Sequence, residues 1–276
     1  MMSLQIASLN SGSNGNCYYI ANENEAILVD VGISLREIER RMLRIGINMQ
    51  KVKAIFITHE HIDHVRGVEA TSRRYSVPVY ISEGTLRNSQ IRIDAELIRS
   101  FEAHKPIAVG NLAVTGFSKR HDAADPYSFV VEGNGVTIGV LTDIGSVCDN
   151  VRSYFKCCHA AFLESNYDVD MLANGRYPAF LKERIAGDHG HLSNAQALDL
   201  FVNHKAGYMS LVMPAHLSRD NNNAKLVHDL FTKHAGNTKV VVASRDTASP
   251  VYTITADAVD GKFDTPSSNK QQYTLF

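Results

Sequence analysis

The chain has 276 residues, 44% of them hydrophobic, and a formal net charge of −1. That apolar content fills a large core, which excludes a disordered chain, and the lack of a basic excess excludes a protein that coats DNA by charge alone. Residues Met1 to Ile6 lack the basic and apolar regions of a secretion signal, and no later run is long and apolar enough to cross a bilayer, so a cytoplasmic protein is expected.

Ser8-Leu9-Asn10-Ser11-Gly12-Ser13-Asn14-Gly15-Asn16 reads as a loop between two strands, with glycine supplying positive φ. Ile27-Leu28-Val29 reads as a strand ending in Asp30. Asp30 is either a turn residue closing that strand or a residue that orients a site loop. A helix is expected over residues 34–45. There Arg36, Arg40 and Arg44, with Arg41 beside them and Glu37 and Glu39 between, read as a solvated face.

Residues 53–58 form the next strand. Thr58-His59-Glu60-His61-Ile62-Asp63-His64 follows it, crowding three imidazoles and the Asp63 carboxylate into one short line. Residues two apart on an extended backbone face the same side, so His59 and His61 can share one cation. A helix over residues 65–75 then turns the chain and re-aims Asp63 and His64 toward a neighbouring position. That layout suits two metals a few ångströms apart.

A cation centre needs further ligands, and His or Asp recurs at the carboxyl ends of later strands, where open sheets place their ligands. Strand 111–118 runs into Lys119-Arg120-His121-Asp122, strand 135–142 into Asp143, and strand 210–213 into Pro214-Ala215-His216. Gly187-Asp188-His189-Gly190-His191-Leu192-Ser193 precedes a helix over 194–203, with Ser193 and Gln196 in capping-box register, and a last helix is expected over 222–234. Lys119, Arg120 and Arg219 flank the metal positions and, with the helix start near Ser193, favour an anion; taken singly, Lys119 and Arg120 read as solvated surface cations. Cys17, Cys148, Cys157 and Cys158 have neither metal-knuckle nor redox spacing and read as reduced thiols.

The order Asp30, then His59-Glu60-His61-Ile62-Asp63-His64, His121, Asp143 and His216 resembles the metallo-β-lactamase superfamily over most of the chain. The loop Ser8–Asn16, the block His121-Asp122-Ala123-Ala124-Asp125-Pro126 and the block His216-Leu217-Ser218-Arg219-Asp220-Asn221 resemble its YycJ/WalJ group, whose members are associated with exonuclease action on DNA. The resemblance implies an α/β metallo-β-lactamase fold, a four-layer αβ/βα sandwich with metals at one edge. It implies one metal on His59, His61 and His121, a second on Asp63, His64 and His216, and Asp143 bridging them. Asp30, Ser11, Ser13, Asn14, Asn16 and Arg219 become candidates for supporting the ligands or lining the substrate. Zinc, manganese and iron all accept such a set. Two such cations lower the pKa of a shared water to about 7, which supplies hydroxide at neutral pH. The Gly190-His191 block is similar to that of ribonuclease Z, which implies His191 as general acid, with His189 either orienting it or simply at the surface. Asp63 and His191 are the catalytic candidates.

No large insertion separates Asp143 from His216, so the extra domain of β-CASP nucleases is not expected. The reading is a hydrolase domain over residues 1–260 and a flexible tail over 261–276. The tail closes on Gln272-Tyr273-Thr274-Leu275-Phe276, which resembles a bacterial sliding-clamp-binding peptide with Gln272, Leu275 and Phe276 as anchors; docking of Leu275 and Phe276 on their own domain is the alternative. The function expected is a metal-dependent DNA exonuclease of repair or replication. The alternatives are a small-phosphodiester or thioester hydrolase on the same scaffold, or a non-enzymatic clamp-associated adaptor.

Overall fold

The computed structural model describes residues 3–256, so the tail and the candidate clamp anchors Gln272, Leu275 and Phe276 lie outside the described residues. The first half of the chain supplies strands β1 (Ser3–Asn10), β2 (Cys17–Ala21), β3 (Ala26–Val29), β4 (Val52–Phe56), β5 (Val79–Tyr80) and β6 (Ile98–Arg99). Its helices are α1 (Leu35–Arg44), α2 (Ile62–Val65), α3 (Val68–Tyr75) and α4 (Glu83–Asn88). The second half supplies β7 (Pro106–Val109), β8 (Leu112–Ser118), β9 (Tyr127–Gly133), β10 (Val136–Leu141), β11 (Ala160–Glu164), β12 (Leu211–Ala215) and β13 (Lys239–Val240). Its helices are α5 (Asp149–Phe155), α6 (Val169–Asn174), α7 (Ala179–Ala186), α8 (Asn194–His204) and α9 (Ala224–Thr232), and β14 (Tyr252–Thr255) returns to the first sheet.

The sheets run β14-β1-β2-β3-β4-β5-β6 and β13-β12-β11-β10-β9-β8-β7. Each changes from antiparallel to parallel pairing part-way, at β3 in the first sheet and at β10 in the second. Alternate residues of every long strand therefore face different cores. Ile6, Tyr18, Ile27 and Phe56 of the first sheet meet Val131, Ile138, Phe162 and Met213 of the second in a layer between the sheets. Tyr18 and Phe162 stand 4.7 Å apart there, and Phe56 meets Phe129 edge-on at 5.4 Å, contacts each worth about 0.5–1.5 kcal/mol beyond area burial. The outer faces pack on helices: Tyr19, Leu28 and Ile55 on Ile38, Met42 and Val68, and Leu141, Leu163 and Val212 on Phe155, Phe201 and Phe231. Three cores separate four layers, as expected.

Two local expectations are corrected. The helix expected over residues 65–75 is two pieces that begin earlier, at Ile62, so Asp63 and His64 belong to a short helix rather than to a loop before one. The break falls at Gly67, whose amide donates to the Val31 carbonyl and where a Cβ would stand 2.1 Å from the Ile33 carbonyl. Arg41 is not solvated: only 7% exposed, it donates to the Leu9 carbonyl at 2.8 Å and to Asn10 Oδ1 at 2.5 Å. It shares a helix face with Ile38 and Met42 and holds the end of β1, where the Ser11–Asn16 loop begins. The expected glycine geometry in that loop is present, with Gly12 at φ 137° and Gly15 at φ 151°.

Candidate metal centre

All the expected ligands converge on one edge, where the strands of both sheets end. Asp30, Asp143 and His216 follow β3, β10 and β12, and each takes a left-handed backbone, φ 59°, 54° and 55°. That conformation costs a non-glycine residue about 1–2 kcal/mol, and here it turns the side chain back over the strand ends.

Two triads form. His59 Nε2 lies 3.1 Å from His61 Nδ1, and His121 completes a group whose ligand atoms all fall within 4.8 Å of one another. Asp63, His64 and His216 form the second group, with Asp63 Oδ2 3.4 Å from His64 Nε2 and 3.5 Å from His216 Nε2. Asp143 reaches both: Oδ1 is 3.8 Å from His121 Nε2, and Oδ2 is 3.3 Å from His64 Nε2. Two ligand atoms on one tetrahedral cation with bonds of about 2.0–2.1 Å stand about 3.3 Å apart, so these spacings fit coordination.

The orphaned atoms make the same point. His121 Nε2, His216 Nε2 and Asp143 Oδ2 are buried with no hydrogen-bond partner, a state that costs about 1–3 kcal/mol each unless a cation fills it. The opposite ring nitrogens are already engaged. His121 Nδ1 bonds the Gly190 carbonyl at 3.0 Å, and His64 Nδ1 pairs with Asp30 Oδ2 at 2.7 Å. Asp30 also accepts from the Thr58 amide and hydroxyl, tying β3 to the histidine loop after β4.

The two triads differ electrostatically. Burial, with neighbouring His64, holds His59 well below the usual histidine range, and burial takes His121 down to about 3. Burial opposes charge on His64 and His216 too, but the carboxylates of Asp143, Asp30 and Asp63 raise His64, and those of Asp143, Asp63 and Glu164 push His216 up to about 10.

Residues 25–216 match the β-lactamase superfamily domain. The chain belongs to the β-lactamase superfamily. It is 35% identical to exodeoxyribonuclease YycJ of Bacillus anthracis over 230 residues, covering 82% of this chain and 86% of that one. It is 31% identical to exodeoxyribonuclease WalJ of Streptococcus pneumoniae over 259 residues, covering 89% and 96%. Among solved structures, the metallo-β-lactamase fold protein YhfI of Bacillus subtilis superposes with a TM-score of 0.71 at 15% identity, covering 91% of this chain and 99% of that one. This superfamily member is a metal-dependent hydrolase.

Sequence reasoning missed Glu164, at the end of β11. Fully buried, it accepts from His191 Nδ1 at 2.8 Å and His216 Nδ1 at 3.0 Å through Oε1, and from the amides of Ile144 at 2.6 Å and Leu192 at 3.2 Å through Oε2. Despite burial, the two histidines hold its carboxyl down to about 2. Its signal was available: the apolar run Ala160–Leu163 ends in an acid, as other strands here end in a ligand.

The remaining candidates of this superfamily chain separate by burial. Ser11 and Asn16 are buried: the Ser11 hydroxyl accepts from the His216 amide at 2.7 Å, and Asn16 Nδ2 donates to Asp63 Oδ2 at 3.2 Å. Ser13 and Asn14 are exposed, contacting Arg245 by hydroxyl and amide, and Arg219 and His189 are exposed. Lys119 is buried, contrary to the solvated reading, with Nζ 2.6 Å from the Thr142 carbonyl. His191 is 21% exposed at the side chain and stands before α8, whose Ser193–Gln196 capping box forms as expected. Among the described residues no helix is long and apolar enough to cross a membrane, and all the cysteines are free.

Proposed function

We propose that this hydrolase is a dinuclear phosphodiesterase that degrades DNA from an end, in repair or replication in the cytoplasm. His59, His61 and His121 would hold one divalent cation and Asp63, His64 and His216 the other, with Asp143 between them; zinc, manganese or iron fits the donor set. Bound there, such cations lower the pKa of coordinated water to about 7 and polarise a phosphoryl oxygen.

The observation that carries the reading is the pairing of this donor set with His191. Glu164 holds Nδ1 of His191 and fixes the orientation of the ring, while Nε2 has no partner among the described residues. A proton carried at Nε2 would pass to the departing oxygen, which an alkoxide leaving group requires and a thiolate does not. Asn16 orients the Asp63 carboxylate, Asp30 orients His64, and Ser11 fixes the backbone of His216, so the reacting groups need little rearrangement. DNA as substrate is supported by the two exodeoxyribonuclease relatives.

The test incubates metal-loaded protein with end-labelled single- and double-stranded DNA, RNA and a generic phosphodiester, beside Asp63→Ala. Progressive shortening of DNA from an end by the parent alone is expected. Cleavage of no DNA, or equal cleavage by Asp63→Ala, refutes the reading. We further propose that Gln272, Leu275 and Phe276 dock on a sliding clamp, which supplies the effective concentration on DNA that a net charge of −1 does not. Deleting residues 272–276 then abolishes binding to purified clamp and leaves short-substrate hydrolysis intact; unchanged binding refutes it.

A further inference from the structure

A cavity of about 230 Å3 opens beside His191, lined by Asp122, Tyr177, Leu181, Arg184 and Ile185. We propose that it receives one nucleobase, that of the nucleoside on the leaving-oxygen side of the scissile phosphate. This rests on the phosphodiesterase reading and adds a substrate subsite to it.

The walls define the ligand. Leu181 and Ile185 lie one turn apart on α7, so they face the same way, and no residue of α7 is fully buried. The apolar stripe of this helix is left half-covered, and the cavity is the space it faces. Tyr177 is half-buried, and its hydroxyl donates to Asp220 Oδ2 at 3.1 Å, which fixes the ring before any ligand arrives. Arg184 is pinned to Asp122, with Nε and Nη2 both 2.5 Å from Oδ2. Its charge is offset, and what it offers is a guanidinium plane. A flat ring system with polar edges matches two aliphatic side chains, one phenol and one neutralised guanidinium. The volume falls below the roughly 300–1,000 Å3 of pockets for drug-sized ligands, so a single base fits and a base pair does not.

Position selects which base. The His191 amide donates to the Ile185 carbonyl at 2.9 Å, and a Cβ on Gly190 would stand 2.1 Å from that same oxygen. The wall is thus fixed to the residue that donates the departing proton, and a group in the cavity belongs to the leaving side. Stacking of this kind tolerates all bases and changes affinity by about 10–100-fold.

Two measurements test the proposal. In the first, metal-loaded protein is titrated calorimetrically with deoxynucleoside 3′- and 5′-monophosphates, because the leaving-side nucleoside joins the scissile phosphate through O3′ or O5′, and with the matching deoxyribose 3- and 5-phosphates. The parent binds the nucleotides of one series about 10–100-fold tighter than their sugar phosphate, and Tyr177→Ala and Leu181→Asn lose that preference while keeping their affinity for the sugar phosphate. In the second, oligonucleotides carrying either a base or an abasic residue beside the scissile phosphate are hydrolysed. The variants raise KM for the first and leave the abasic substrate unchanged. Equal binding of nucleotide and sugar phosphate by the parent in both series overturns the subsite, as does equal loss of both ligands in the variants. Because the calorimetry needs no turnover, a nucleotide preference without DNA hydrolysis would sink the nuclease reading and leave the subsite standing.

Discussion

Replacing Glu164 by Gln keeps the volume and removes one acceptor. The native carboxylate receives two imidazole nitrogens on Oε1 and two backbone amides on Oε2. A carboxamide has one oxygen, so one of these pairs must face an NH2 group: either the imidazoles lose their acceptor or the amides of Ile144 and Leu192 do. Hydrogen bonds to a charged acceptor are worth about 1.5–3 kcal/mol each, and the two lost together set an upper bound of about 3–6 kcal/mol. That cost divides between two functions. Through His216, metal affinity is expected to fall about 10–100-fold, the usual effect of losing a ligand's orienting partner. Through His191, kcat at saturating metal is expected to fall about 10²–10⁴-fold. Metal content by elemental analysis and phosphodiester hydrolysis across a metal titration separate the two, because added metal restores the first and not the second. If Glu164→Gln keeps kcat within roughly threefold of the parent at saturating metal, less than about 0.7 kcal/mol of barrier, the coupling of Glu164 to His191 is wrong.

Two further outcomes follow from the same geometry. Gly32→Ala places a Cβ 1.7 Å from the Asp63 carbonyl and 2.6 Å from the Asn16 amide, both backbone atoms, so the Asp63 turn must shift. A loss of about 1–3 kcal/mol is expected, lowering Tm by about 2–4 °C for each kcal/mol, together with loss of metal; unchanged Tm and metal content would count against this packing. Loading metal should release protons near neutral pH. His64 is held above the usual range and His216 at about 10, so both are protonated below those values and must deprotonate to coordinate. Metal affinity therefore rises with pH and weakens on acidification, and a pH-stat titration that records no proton release refutes the assignment.

The strand-end rule made most of this centre legible. His59, His121, Asp143 and His216 each follow an apolar run, and the structure brings all four to one edge. Glu164 is hard to read from the sequence because β11 is short, begins with two alanines of weak strand propensity, and ends in Glu where the other strand ends carry His or Asp. Arg41 differs from the solvated expectation because its register with Ile38 and Met42 places it on the inward face of α1, where helical period outweighs charge. The left-handed backbones at Asp30, Asp143 and His216 leave no mark in the sequence, since Asp and His tolerate that conformation without requiring it. The cavity beside His191 was also out of reach, because it arises where α7 meets loops from distant parts of the chain.

His59, His61, Asp63 and His64 come from the segment that follows β4 in one sheet, and His121, Asp143, Glu164 and His216 from the strand ends of the other. Neither half holds the whole donor set by itself. His216 is translated long after His64, so a ribosome-bound fragment still lacking it carries an incomplete donor set. The donor set is complete only when both halves of the chain are in place.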